Sequence, residues 1–298
     1  MVRWRRRVLG RRWTAGGFLL ATLFGANPIA NAQPRYQPPP QYLQLGKPDQ
    51  EQGRQILEEF RGRGIAGDYY LEFELRVMPR HGPEQVRRGH LRGTRNAAGP
   101  VFRVSVRADG AGPEVRLLVQ GGAHPELWRW TAANGGAPER LDVTALFDPV
   151  ADTDLTAFDL QMPFLFWPDF FYEGLARILG RPAHQFLFYP PPDIVARRPE
   201  MTGVRVYLDT QYGALVQAEL IGANGRPVKT VSLLDVKKIE DQWIVKAFDL
   251  RDETSHNKTR FTVIAAALNL HLPPAVFDAA GLAEALPPPA ALVPLGAP

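Results

Sequence analysis

The sequence predicts an α+β fold: one large, strongly curved antiparallel sheet of about eleven strands with a few helices against it. Three observations carry this. Residues 204–265 form five apolar-rich runs, Val204–Asp209, Leu215–Ile221, Val228–Ile239, Trp243–Arg251 and Lys258–Ala265, cut by four short polar turns. One of those turns is Ala223-Asn224-Gly225. Asn-Gly between β-prone runs is the strongest short hairpin signal, because the tight turn it forms needs positive φ at both central residues. A second set of runs, between Tyr69 and Ala145, has the same period of two. Between the two sets, Phe158–Tyr172 holds seven aromatic side chains and two prolines. That stretch interrupts the strands and needs an apolar surface to bury against.

Taken in order, residues 1–32 read as a secretory leader. Arg3, Arg5, Arg6, Arg7, Arg11 and Arg12 form a basic end, Gly16–Phe24 a short apolar run, and Ala30-Asn31-Ala32 a small-x-small cleavage site. The apolar run is too short to span a bilayer as a permanent helix. The expected mature chain therefore starts at Gln33. The leader takes six arginines and no acids out of 35 basic and 31 acidic residues, so the remainder is slightly acidic and carries no charge signature of nucleic-acid binding. There is no cysteine, which excludes thiol catalysis, cysteine metal sites and a lipid anchor after the leader. The expected protein is exported, soluble and untethered, held by an ordinary core.

Residues 33–48 are Pro- and Gln-rich and read as an extended linker. Asp49 can cap a helix that ends near Gly62 and Gly64, with Ile56, Leu57 and Phe60 as its apolar stripe. Tyr69–Met78 alternates Leu71, Phe73, Leu75 and Val77 against Glu72, Glu74 and Arg76. Val86–Thr94 is polar enough to read as a solvent-facing or edge strand. Phe102, Val104 and Val106 alternate with Arg103, Ser105 and Arg107, and Val115, Leu117 and Val119 repeat the pattern. Leu127–Trp130, Leu141–Ala145 and Gln185–Tyr189 complete the strands before the meander. Pro163 and Pro168 forbid one continuous helix between Asp148 and Pro182, so this part reads as a broken, aromatic-rich helical crossover. A short helix is expected over Asp278–Ala285, and the Pro/Ala tail, residues 286–298, is expected to be disordered.

No enzyme emerges from these residues. His81, His90, His124, His184, His256 and His271 are scattered without metal-ligand spacing, and no G-x-S-x-G elbow is present. Asp148, Asp152 and Asp154 lack the glycine and distal glutamate of a calcium loop, and Asp154 reads better as a helix cap. No catalytic residue, metal or cofactor is assigned.

The parts run in the order leader, helix, strands, helical interruption and meander, the last ending in Lys258-Thr259-Arg260-Phe261. In that order they resemble the outer-membrane lipoprotein-sorting family, the LolA-like proteins of the LolA/LolB superfamily. The likeness spans roughly residues 50–280. Asp169-Phe170-Phe171-Tyr172-Glu173-Gly174-Leu175 is similar to the family's Asp-Phe-Ser-Tyr-Glu-Asp-Leu, with Phe171 and Gly174 departing from it. Val206–Asp209 before a turn, Asp235-Val236-Lys237-Lys238-Ile239 with Trp243, and Thr254 with Lys258-Thr259 are further matches. The resemblance implies an unclosed half-barrel wrapped on helices, over residues 49–285, whose apolar cavity holds acyl chains.

The expected lining of that cavity is Leu71, Phe73, Leu75, Val104, Val106, Val206 and Leu208, with Glu72, Glu74, Arg103 and Arg205 on the outside. Phe164, Phe166, Phe170 and Phe171 are expected to form a lid; the competing expectation is that these aromatics fill the cavity as ordinary core. Burial of a fourteen-carbon chain is worth a gross ~11 kcal/mol at ~0.8 kcal/mol per methylene, less several for lost freedom. The expected function is therefore a non-enzymatic periplasmic carrier of lipid or lipoprotein acyl chains towards the outer membrane, monomeric, with an inner-membrane transporter as a further partner. The alternative is a periplasmic adaptor or sensor working with a membrane transporter or signalling protein.

Overall fold

The computed structural model describes residues 47–108, 113–132 and 136–296. The leader, its cleavage site and nearly all of the linker lie outside them. Helix α1 (Gln50–Gly62) starts where expected: the Asp49 carboxylate accepts the Glu51 amide at 2.9 Å and the Gln52 amide at 3.3 Å. Six strands follow: β1 (Asp68–Met78), β2 (Gln85–Asn96), β3 (Gly99–Ala108), β4 (Glu114–Gln120), β5 (Glu126–Thr131) and β6 (Glu139–Arg140). The crossover holds a 3₁₀ turn at Ala145–Phe147, helix α2 (Ala157–Gln161) and a second 3₁₀ turn at Pro163–Phe166. After it come β7 (Phe170–Ile178), β8 (Arg181–Phe188), helix α3 (Pro192–Arg197), β9 (Met201–Asp209), β10 (Leu215–Gly222), β11 (Pro227–Ile239), β12 (Gln242–Asp252), β13 (Lys258–Leu270) and a last short strand, β14 (Val293–Pro294).

All pair antiparallel in one sheet, ordered β6-β5-β4-β3-β2-β1-β13-β12-β11-β10-β9-β8-β7, with β14 added to β13. The two halves of the chain are each local meanders. They join at the centre, where β1 lies beside β13 with Phe73 opposite Val263. The edge strands β6 and β7 do not pair, so the curved sheet stays an open half-barrel, as expected. The five meander strands fall where the alternation puts them, and β13 runs on to Leu270.

Several elements differ from the sequence expectation. Strand β2 is interior, between β1 and β3. On its polar face Arg92 is buried beneath the C-terminal segment, while Arg88 stays exposed. Phe170–Ile178 is a strand, not part of the helical crossover: Pro168 ends the 3₁₀ region and the residues after it alternate. The Asn-Gly hairpin uses a three-residue solution. Gly225 alone has positive φ (70°), Gly225 N–H donates to Gly222 O at 2.9 Å and Gly222 N–H to Arg226 O at 2.8 Å. That is an ordinary turn closed by a glycine bulge, and a separate irregularity in the ladder leaves Val228 unpaired opposite Leu220 and Ile221. The crossover helix is capped by Thr156, which exchanges hydrogen bonds with Asp159 in a capping box, and not by Asp154. In place of the helix expected over Asp278–Ala285 there is a 3₁₀ turn at Ala279–Ala283.

Glycine and glutamine at the start of α1 fit that helix to the open edge of the sheet. A Cβ on Gly53 would lie 2.5 Å from Tyr172 Cβ, so only glycine allows the approach. One turn earlier, the Gln50 side-chain amide donates to Tyr172 O and accepts from Tyr172 N–H, both at 2.9 Å. The Gln50 amide thus stands in for a neighbouring strand on β7 and caps part of an otherwise bare edge.

Candidate functional site

The concave face is apolar because the strands alternate. Phe73, Leu75, Val104, Val106, Val206 and Leu208 are buried almost completely and Leu71 nearly so, all in one cluster with Leu57 of α1. Glu72, Glu74, Arg103 and Arg205 point the other way. Arg205 is paired there with Glu173 at 2.9 Å, whereas Arg103, although outward, is buried beneath the C-terminal segment.

The four residues expected as a lid divide. Phe164 is 2 % exposed, its ring 5.6 Å from Phe158 and 6.3 Å from both Trp167 and Phe188. Phe166 is half-buried, with the Arg61 guanidinium 5.4 Å from its ring centre. Phe170 and Phe171 lie on β7 and not on the crossover. Alternation turns Phe170 inward, 5.6 Å from Phe188, and leaves Phe171 46 % exposed on the outer surface. The concave face also gathers aromatics that alternation alone does not single out: Phe158, Phe186, Phe188 and Tyr172, with Tyr172 and Phe186 centred 5.0 Å apart. The Tyr172 hydroxyl meets His184 Nδ1 at 2.8 Å; burial raises the tyrosine pKa and lowers that of the histidine, so both are held neutral.

The crossover is tethered to the sheet by polar contacts. Lys229 on β11 pairs with Asp159 and donates to Asp154 O at 2.7 Å. The Asp154 carboxylate accepts from the Thr259 hydroxyl at 2.8 Å, and the Gln161 amide donates to Gln120 O at 2.9 Å. Asp148 lies 3.7 Å from Arg129. Asp148 and Asp154 thus serve structure, and among the described residues no cluster has metal-ligand composition. Beyond α2, among the described residues, Pro163–Trp167 has one polar tether, Arg61 Nε donating to Leu165 O at 2.5 Å, beside the buried side chains of Phe164, Leu165 and Trp167. Met162 turns with positive φ (47°) at its start and Pro168 follows it, so helix continues at neither end.

Two clefts flank the loop 141–148 where the crossover meets β4 and β5. The larger, about 410 Å³, is lined by Leu127, Leu141, Val143, Leu146, Gln161 and neighbours. The smaller, about 250 Å³, is lined by Val115, Leu117, Leu141, Val150, Ala157 and others. Both reach side chains of the central cluster, and none of the residues expected to line the cavity borders them. The loop between them is joined to the sheet by Leu141 N–H donating to Leu127 O at 2.8 Å and by the Asp148–Arg129 pair, and to the core by buried Leu146 and by Phe147 stacked on Phe158.

An open antiparallel half-barrel with an apolar concave face under a helical crossover is the architecture of the LolA-like proteins, and in fold the chain is LolA-like. It is similar to an outer membrane lipoprotein-sorting protein domain from Vibrio parahaemolyticus, at TM-score 0.66 and 15% identity over 77% of this chain and 97% of that one. A DUF1329 family protein from Desulfovibrio piger matches at TM-score 0.65 and 14% identity, covering 78% and 98%. A LolA superfamily protein from Nitrosomonas europaea matches at TM-score 0.57 and 15% identity, covering 76% and 96%. At these identities the likeness is one of fold. A family model described as an uncharacterized protein matches residues 196–284. No curated protein matches the sequence.

Proposed function

We propose that this protein is a non-enzymatic carrier that takes an acyl chain of a lipid or lipoprotein onto its concave face and conveys it towards the outer membrane. The observation that carries it is the cover of that face. A continuous apolar surface from β1 to β9 is closed not by a second sheet but by one-turn pieces between prolines, the last of which, Pro163–Trp167, has one polar tether. Displacing that piece would expose Phe188, against which Phe164 packs, and acyl burial at ~0.8 kcal/mol per methylene can repay the opening. The lipoprotein-sorting domain of the same fold supports this choice of ligand, and the leader read in residues 1–32 supports export to the periplasm.

A second reading, a periplasmic adaptor for a membrane protein, is favoured by one feature: Leu234, Val236, Trp243 and Val245 are all exposed on the β11–β12 hairpin. Native mass spectrometry of the protein recovered from the periplasm separates the two. A carrier retains species of lipid mass that detergent exchange removes. An adaptor comes out empty and is captured with a membrane protein through the hairpin. Empty protein that takes up no added lysophospholipid would refute the carrier.

A further inference from the structure

We propose that β14 is the gate of a side opening in the barrel wall, and that an acyl chain reaches the apolar core through the slot this strand fills between β12 and β13. This rests on the acyl-carrier reading and adds the path the chain takes.

The β12–β13 ladder runs only from Arg251 opposite Lys258 to Ala247 opposite Thr262. Above it the strands part. Strand β13 continues to Leu270 against β1, and β12 starts at Gln242 against β11. Strand β1 occupies one edge of β13 here, with Leu71 opposite Ala266 and Glu72 opposite Ala265. Strand β14, pairing Val293 with Ala266 and Pro294 with Ala265, therefore lies on the edge that faces β12. The Leu295 amide donates to Ile264 O at 2.8 Å, and its side chain, 7 % exposed, joins the same cluster as Leu71 and Phe73. The slot thus already holds an aliphatic group running from the surface into the core. Its floor on β13 is small, Ala265-Ala266-Ala267, and on the β12 side Trp243 and Val245 form an exposed apolar lip.

The latch is weak and its anchor is strong. Strand β14 makes two residue pairs, one of them through Pro294, which has no N–H to give. Val293 is exposed. Upstream, three guanidiniums on neighbouring strands grip the backbone of the same segment. Arg92 donates to Leu286 O and Pro287 O at 3.0 and 2.7 Å, and Arg103 to Gly281 O and Leu282 O at 3.0 and 3.1 Å. Arg116 donates to Ala283 O, and Leu282 is fully buried against Val101 and Leu118. The stiff run Pro287-Pro288-Pro289 starts at the anchor and leads towards the latch. Residues 293–295 can peel away while the strap stays attached, which is the design of a gate.

The chain has no cysteine, so Ala266→Cys with Val293→Cys gives a single disulfide across a registered pair. The probe is a pyrene-labelled hexadecanoic acid, and loading is followed by stopped-flow fluorescence. The expected result is that the oxidised double variant loads about tenfold or more slowly than the same protein reduced, the scale set by one backbone hydrogen bond and one re-exposed leucine. A chain ending at Leu292 should load at least as fast as the reduced form. Equal loading rates for oxidised, reduced and shortened proteins would overturn the gate and leave the carrier standing. If none of the three, nor the parent, takes up the probe, the carrier falls and the gate with it.

Discussion

Replacing Phe166 with aspartate tests whether Pro163–Trp167 is a movable cover or fixed core. Phe166 is half-buried against the Arg61 guanidinium. Full burial of a phenylalanine is worth ~1.5–3 kcal/mol, so a half-buried one loses about 1. The exposed cation–π contact adds ~0.5–1 kcal/mol, of which an ion pair between the introduced carboxylate and Arg61 returns about 0.5. The net loss is about 1–2 kcal/mol, or roughly 3–6 °C in Tm for a domain of this size. Phe164, on the same 3₁₀ turn and ringed by Phe158, Trp167 and Phe188, is the internal control. Truncating a buried phenylalanine costs ~3–5 kcal/mol, and an unpaired buried carboxylate costs more, so Phe164→Asp should leave little folded protein. Thermal unfolding by circular dichroism, with bound lipid measured on the same samples by native mass spectrometry, reads both quantities. The expected outcome for Phe166→Asp is a small drop in Tm with a large loss of retained lipid. A Tm collapse equal to that of Phe164→Asp, in a parent that carries no lipid, would refute the movable cover.

Other perturbations follow from the same structure. Gly53→Val should cost about 1–3 kcal/mol by driving α1 off Tyr172, seen as a lower denaturant midpoint at unchanged slope. Gln50→Ala removes both bonds to the β7 edge and should cost about 1–2 kcal/mol and raise concentration-dependent association in light scattering. His90, buried among arginines, has its pKa pushed down to about 4, chiefly by burial and then by Arg92. Between pH 6.5 and 4 the unfolded chain binds a proton that the native one does not, so native stability falls as pH drops through that window, by on the order of 2–3 kcal/mol. His90→Gln should flatten it in urea titrations at about pH 7 and 4.5. Hydrogen bonds from Arg116, with Ser105 and Arg107, hold Glu114 down to about 2. Its contribution is present above pH ~4.5 and lost as pH falls towards 2, so Glu114→Gln should be less stable than the parent at about pH 7 and no different at pH 2.

The meander is readable from residues 204–265 because side-chain period depends only on the local strand, and Asp49 is readable as a cap because capping is local. The pairing of β1 with β13 is not, since nothing in Phe73 or Val263 names a partner so far along the chain. Phe170–Ile178 misleads because an aromatic run beside two prolines fits a broken helix and a strand equally until Pro168 is known to end the turn. The contacts of residues 281–287 are hidden for a different reason: the acceptors are backbone carbonyls, which have no sequence signature. The donors do leave a trace. Arg92, Arg103 and Arg116 sit at outward positions of three consecutive strands, a density of cations that an ordinary solvated face does not need. Of the expected site, alternation locates the concave side chains. It does not reveal that Phe186, Phe188 and the crossover already pack against them.

The central junction of β1 with β13 also governs how this chain acquires its shape. Each half can zip up locally, hairpin by hairpin, within microseconds. The ladder that welds them links residues roughly 190 positions apart, so its nucleation carries the full loop-closure entropy and must wait for the last long strand. Any form of the chain in which that ladder is open leaves each half-sheet with a bare central edge. Those are the surfaces that misassemble at high concentration, and the rate of joining them sets how long the nascent molecule stays vulnerable.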